Sequence, residues 1–76
     1  MAHTLKVVRS INAPGGLVCV DIVVDEAGRY GFACYRRDPE DGRGWFPAGP
    51  RRAPFATTPE AALDAARADV PWLRAS

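Results

Sequence analysis

The stretch LVCVDIVVDEAGRYGFACYRR, Leu17 to Arg37, limits what this chain can fold into more than any other. Two runs rich in β-branched and aromatic residues flank Glu26-Ala27-Gly28. Such side chains suit a pleated, half-buried surface. Three residues ending in glycine make a common hairpin connection, with the glycine left-handed in a bulge. The stretch therefore reads as two antiparallel strands, Leu17 to Asp25 and Arg29 to Arg37. Pairing Asp25 with Arg29 sets Val24 opposite Tyr30, Ile22 opposite Phe32 and Val20 opposite Cys34. All six share one face, because strand side chains alternate with period two. Cys19, Asp21, Val23, Ala33 and Tyr35 point the other way.

An earlier strand, Leu5 to Asn12 (LKVVRSIN), precedes the turn Ala13-Pro14-Gly15-Gly16. A loop at 13–16 pairs Ile11 with Val18, Val7 with Ile22 and Leu5 with Val24, which extends the apolar face. Arg9, opposite Val20, is the misfit; its stem can follow the core rim with the guanidinium in water. Val8 then joins Cys19 and Val23 on the far face. With Cys34 toward the core and Cys19 away from it, the two cysteines cannot bridge without backbone movement. They read as a buried small hydrophobe and a partly exposed thiol.

Downstream, YRRDPEDGRGW (Tyr35 to Trp45) carries Arg36, Arg37 and Arg43 against Asp38, Glu40 and Asp41, so its charges cancel. Asp-Pro-x-Asp-Gly fits a type I turn with Pro39 at its second position. The segment reads as a reversal that brings Trp45 alongside the third strand. Trp45 to Ala48 predicts a short fourth strand, which Pro47 ends or confines to the sheet edge; residues 49–54 read as irregular. Thr57-Thr58-Pro59-Glu60 then opens a helix, with Thr58 as N-cap, Pro59 at N1 and Glu60 in the first turn. Thr57 with Glu60 is a competing capping box. The helix runs to about Asp69, since Val70 precedes Pro71 and is pushed out of the α region. Ala62, Leu63, Ala66 and Val70 form its buried stripe, and Trp72 and Leu73 fold back over the end of the core. The expected fold class is α+β: an antiparallel β-meander of three to four strands with one C-terminal α-helix packed on one face. The 76 residues make one domain.

Composition and motifs then exclude functions. Ten basic against nine acidic residues leave a net charge of +1, without the excess of a dedicated nucleic-acid binder. His3 is the sole imidazole and no C-x-x-C occurs, which argues against a zinc site. Gly15-Gly16 lacks the spacing of either nucleotide motif, so no cofactor is expected. Cys19 beside Asp21 has no base to activate it, and nothing supports an enzyme. MAHTLKVVRS lacks the apolar core and cleavage site of a signal peptide. No apolar run approaches the roughly 18 residues of a membrane span. A reduced, cytoplasmic chain is expected.

Two interaction readings remain. Val8, Cys19, Val23, Ala33 and Tyr35, with one of Trp45 and Phe46, form a semi-apolar sheet face that a single helix leaves bare. Such a face suits a protein partner or a second copy of the chain. Homodimerisation would also support a core that, below about 70–80 residues, is seldom self-sufficient. The tail Val70 to Leu73 or the segment 49–56 could instead cover this face. The alternative is a nucleic-acid-binding module in which Tyr35 and Trp45 stack bases beside Arg36, Arg37, Arg51 and Arg52. Within residues 36–52, five Arg against three acids leave only two net positive charges, which disfavours it.

The combination YGFACYRRDPEDGRGW with TTPEAALDAARADVPWL, over about residues 30–73, resembles a pattern in small bacterial sheet-plus-helix proteins of unknown function. The resemblance implies a bacterial origin and brings no activity with it. By architecture alone the chain also resembles the sheet-plus-helix arm domains at the front of some tyrosine recombinases, which bind DNA. That likeness rests on no motif, and a shared fold does not carry function.

Overall fold

The hairpin around Glu26-Ala27-Gly28 forms in the register its apolar pattern demands. The computed structural model describes residues 5–40, 42 and 44–74; His3, Asp41 and Arg43, named above, lie outside them. Strands β1 (Lys6–Asn12), β2 (Val18–Val24), β3 (Tyr30–Arg36) and β4 (Phe46–Ala56) are followed by helices α1 (Pro59–Asp69) and α2 (Pro71–Arg74). The strands form one antiparallel sheet in the order β1-β2-β3-β4, with α1 packed on one face. Val24 opposes Tyr30, Ile22 opposes Phe32 and Val20 opposes Cys34. At the turn, Gly28 takes φ +81° and donates to the Asp25 carbonyl, while Asp25 Oδ1 accepts the amides of Ala27 and Arg29. One carboxylate thus holds both sides of the loop.

The first hairpin corrects its expected register. Ile11 pairs with Val20 and Arg9 with Ile22, while the turn shifts to 14–17 under the Ala13 amide's bond to the Val18 carbonyl. A bulge between Val7 and Arg9 then sets Val7 opposite Val23 and Lys6 opposite Val24. One inserted residue reverses the facing of everything beyond it. Val8 therefore turns toward the helix side, beside Ile22, Pro59 and Leu63, and Val7 takes the far face beside Val23, Ala33 and Tyr35.

β4 is the second correction: residues 46–56 form one continuous strand instead of a short strand and an irregular segment. Its register against β3 shifts twice, by two residues each time, so its eleven residues span the seven of β3. An edge strand tolerates Pro47, Pro50 and Pro54 because half of its amides face away from the ladder, and bulges absorb the rest. At one shift Gly49, at φ +104°, packs over Cys34. At the other, the backbone of residues 52–54 crosses directly over Gly31.

Thr58 caps α1, its Oγ1 accepting the Ala61 amide at 3.2 Å, so Thr58 and not Thr57 is the N-cap. Pro59 at N1 lacks only an amide that would have had no helical partner. Ala62 and Ala66 are fully buried, and their short side chains let α1 approach Val20, Ile22, Phe32 and Cys34 closely. Val70 ends the helix in an extended conformation, and α2 then buries Leu73 in the same core with Trp72 packed against it. No helix among the described residues is long and apolar enough to cross a membrane.

Two substitutions test this packing. A Cβ on Gly31 would lie 2.5 Å from the Arg52 carbonyl oxygen and 2.9 Å from backbone atoms of Ala53 and Pro54. Gly31→Ala should cost about 2 kcal/mol or more in urea unfolding, because β4 must lift to admit the methyl group. Thr58→Ala should cost about 1 kcal/mol by the loss of its cap.

Candidate functional site

Every buried residue of α1 and α2 packs against the face of Val20, Ile22, Phe32 and Cys34, leaving the opposite sheet face without a helical cover among the described residues. The tail through Leu73 belongs to the helix layer, so it does not cover this open face. β4 covers part of it, where its backbone crosses Gly31. Beside that crossing Val23 is buried, and Cys19 at the other end is only 6% exposed. Cys19 is therefore not the partly exposed thiol expected from its facing alone. Its neighbours shelter it.

The open face carries two adjoining hollows that share Tyr35. One is lined by Ser10, Asn12, Cys19, Asp21 and Trp45, the other by Leu5, Val7, Val23, Ala33, Arg51 and Pro54. Large apolar groups remain in water here: Leu5 is 46% exposed, Val7 55% and Trp45 43%. Trp45 lies on the open face, whereas Phe46, opposite Arg36, lies on the helix side. Alternation along the strand separates the two aromatics.

The polar groups of the face are few and ordered. Asp21 Oδ1 accepts the Ser10 hydroxyl at 2.7 Å and the Cys19 thiol at 3.9 Å. Arg37 donates from Nε to the Gly16 carbonyl at 3.1 Å and holds its guanidinium 5.2 Å from the centre of the Trp45 ring. A cation over an indole is worth about 0.5–1 kcal/mol at an exposed site. Here it ties the 14–17 turn to the start of β4. At the 38–40 reversal, Asp38 Oδ1 accepts the Glu40 amide, so this acid is spent on turn geometry.

Of the residues proposed for nucleic acid, Tyr35, Arg37, Trp45 and Arg51 share the open face. Arg36 and Arg52 do not. Arg36 opposes Phe46 on the helix side, and Arg52 reaches Asp69 at the end of α1 at 3.2 Å. Of the residues proposed for a protein contact, Cys19, Val23, Ala33, Tyr35 and Trp45 are gathered, and Val8 leaves the group. Leu5 and Val7, expected toward the core, lie on this face instead, and Ser10 and Asn12, which the expected alternation already turned away from the core, line it without having been named as contacts. The adjacent pair Val7-Val8 was the available signal, since two apolar neighbours cannot both satisfy one face.

Among the described residues, no group of three His, Cys, Asp or Glu converges as a metal site would require. No protein-family model matches the chain, and neither a curated protein nor a solved structure matches it.

Both thiols are free and lie on opposite sides of the sheet. Burial is the main cause that raises Cys19 above the ordinary value of 9.0, with the Asp21 carboxylate adding to it. Burial likewise raises Cys34 first, with Cys19 adding and Arg51 opposing. Unfolded thiols lose their protons first as pH rises through about 9, while the folded ones keep theirs. Stability from the protonated thiols is complete below that pH and falls as pH climbs toward the folded values. Urea midpoints should therefore drop between pH 8 and 10, and less steeply in a Cys19→Ala/Cys34→Ala variant.

Proposed function

We propose that this chain is a non-catalytic, cytoplasmic interaction module that self-associates through the open face of its sheet. The observation that carries the reading is the exposure of Leu5, Val7 and Trp45 on a sheet face that neither helix covers. Exposed residues on a one-sided antiparallel sheet are ordinarily polar, and a contiguous apolar patch marks a contact surface. A second copy suits the patch because the contiguous buried cluster lies on one side of one sheet, with only Cys19 and Val23 buried on the other, in a chain of 76 residues. Nucleic-acid binding has less support. Asp21 stands near the middle of the face, and Arg36 and Arg52, two of the arginines named for that role, lie on the helix side.

Sedimentation equilibrium should show a concentration-dependent dimer. Ala33→Glu, at the centre of the face, should abolish it with the circular dichroism unchanged, whereas Glu60→Lys on α1 should leave it intact. A monomer at every concentration up to the millimolar range contradicts the reading. So does salt-sensitive binding of a labelled single-stranded oligonucleotide with no dimer.

A further inference from the structure

The four strands place Ser10, Asp21, Ala33 and Arg51 in one row across the sheet, each paired with the next. All four belong to the open face, where they line its two hollows. Asp21 and Arg51 stand two strands apart, about 10 Å at the usual strand spacing. Between them Ala33 contributes only a methyl group. Asp21 accepts from Ser10 and Cys19, neither of which carries a positive charge. Among the described residues no acid pairs with Arg51; the arginines in ion pairs there are Arg52, with Asp69, and Arg67, with Asp64. On this semi-apolar face Asp21 and Arg51 are thus unpaired charges of opposite sign, set symmetrically about Ala33, while Arg37 is held apart by the Gly16 carbonyl and the Trp45 ring.

We infer that the face is self-complementary in charge: Asp21 of one copy pairs with Arg51 of a second copy, twice, about a two-fold axis running along β3 over Ala33. The inference rests on the self-association reading and names its partner and geometry. Rotation by half a turn about an axis lying along β3 exchanges the positions of β2 and β4. It lays Asp21 over the second copy's Arg51 and Arg51 over the second copy's Asp21. An isologous contact requires this kind of self-matching surface. The sheets then pack face to face with their strands nearly aligned. Over Ala33 the axis meets only a small side chain; further along β3 it passes Tyr35 at one end and the 52–54 backbone over Gly31 at the other, and these set how closely two copies approach. Two other axes do worse. One across the strands through this row sets Asp21 against Asp21, and like charges facing each other are costly. One between β2 and β3 sets each Asp21 over an alanine and leaves it unpaired. Two hydrogen-bonded partners already hold the Asp21 carboxylate in place, so little side-chain freedom is lost when the guanidinium arrives.

The test is charge reversal with complementation, read as dimer dissociation constants by sedimentation equilibrium. Asp21→Lys and Arg51→Glu should each weaken the homodimer by about tenfold or more, because each places two like-charged pairs at the contact. An equimolar mixture of the two variants should restore dimers to near wild-type affinity. In that heterodimer the introduced lysine meets the introduced glutamate, and the native Arg51 of one chain meets the native Asp21 of the other. Asp21→Asn, which keeps an acceptor for Ser10, should weaken the dimer less than Asp21→Lys and guards against a folding defect. A wild-type dimer whose affinity is unchanged in all three variants overturns this inference and leaves self-association standing. Restoration in the Asp21→Lys/Arg51→Glu double variant but not in the mixture also overturns it, because that pattern belongs to a pair within one chain. A wild-type chain that never dimerises removes both.

Discussion

The structure depends on one constraint: a single short helix must close the core of a four-stranded sheet that has two faces. Eleven residues of α1 cover Val20, Ile22, Phe32 and Cys34, and the short side chains of Ala62 and Ala66, fully buried there, let the helix come close. Everything else adjusts to that contact. Thr58 starts the helix at the right place, Pro71 ends it, and Leu73 fills the gap beyond its last turn. Among the described residues the second sheet face receives no helix, and its character follows from that. Val23 and Cys19 are sheltered by neighbouring strands and side chains, while Leu5, Val7 and Trp45 remain in water.

The two outer strands treat their exposed edges differently. β4 carries three prolines, two arginines and two register shifts, all of which hinder another strand from joining it. Its second shift also brings backbone over Gly31, so the same irregularity that blunts the edge covers part of the open face. β1 has no proline, but its bulge at Val8 and the charges of Lys6 and Arg9 interrupt its edge. Both edges of the sheet are thereby blunted against the addition of a further strand.

How much of this was legible in the sequence differed from one element to the next, for physical reasons. The β2–β3 register was plain because one short turn joins two strands with strict alternation, and a slip would bury Asp21. The helix boundaries were equally plain, since Thr58, Pro59 and Pro71 each act within a residue or two. The β1 register was not. Val7-Val8 lets either residue face the core, and a bulge settles the choice through the energy of the whole sheet. β4 was hidden for a related reason. Three prolines argue against a strand in isolation, and only the pairing with β3, together with an edge position, makes them tolerable. At the open face, alternation identified Cys19, Val23, Ala33 and Tyr35. The row from Asp21 to Arg51 needed the β4 register, which no local pattern carries.

The central claim is that the face around Ala33 is bare in the monomer and becomes covered by a second copy. Three alanine methyl groups report on it within one chain: Ala33 on the open face, and Ala62 and Ala66 fully buried under the helix. Their NMR signals can be followed with a soluble paramagnetic relaxation agent across a range of protein concentrations. The account predicts strong broadening of Ala33 in dilute solution, with protection growing as concentration rises, while Ala62 and Ala66 stay sharp throughout. An Ala33 signal equally broadened at all concentrations, or already protected when dilute, would contradict it.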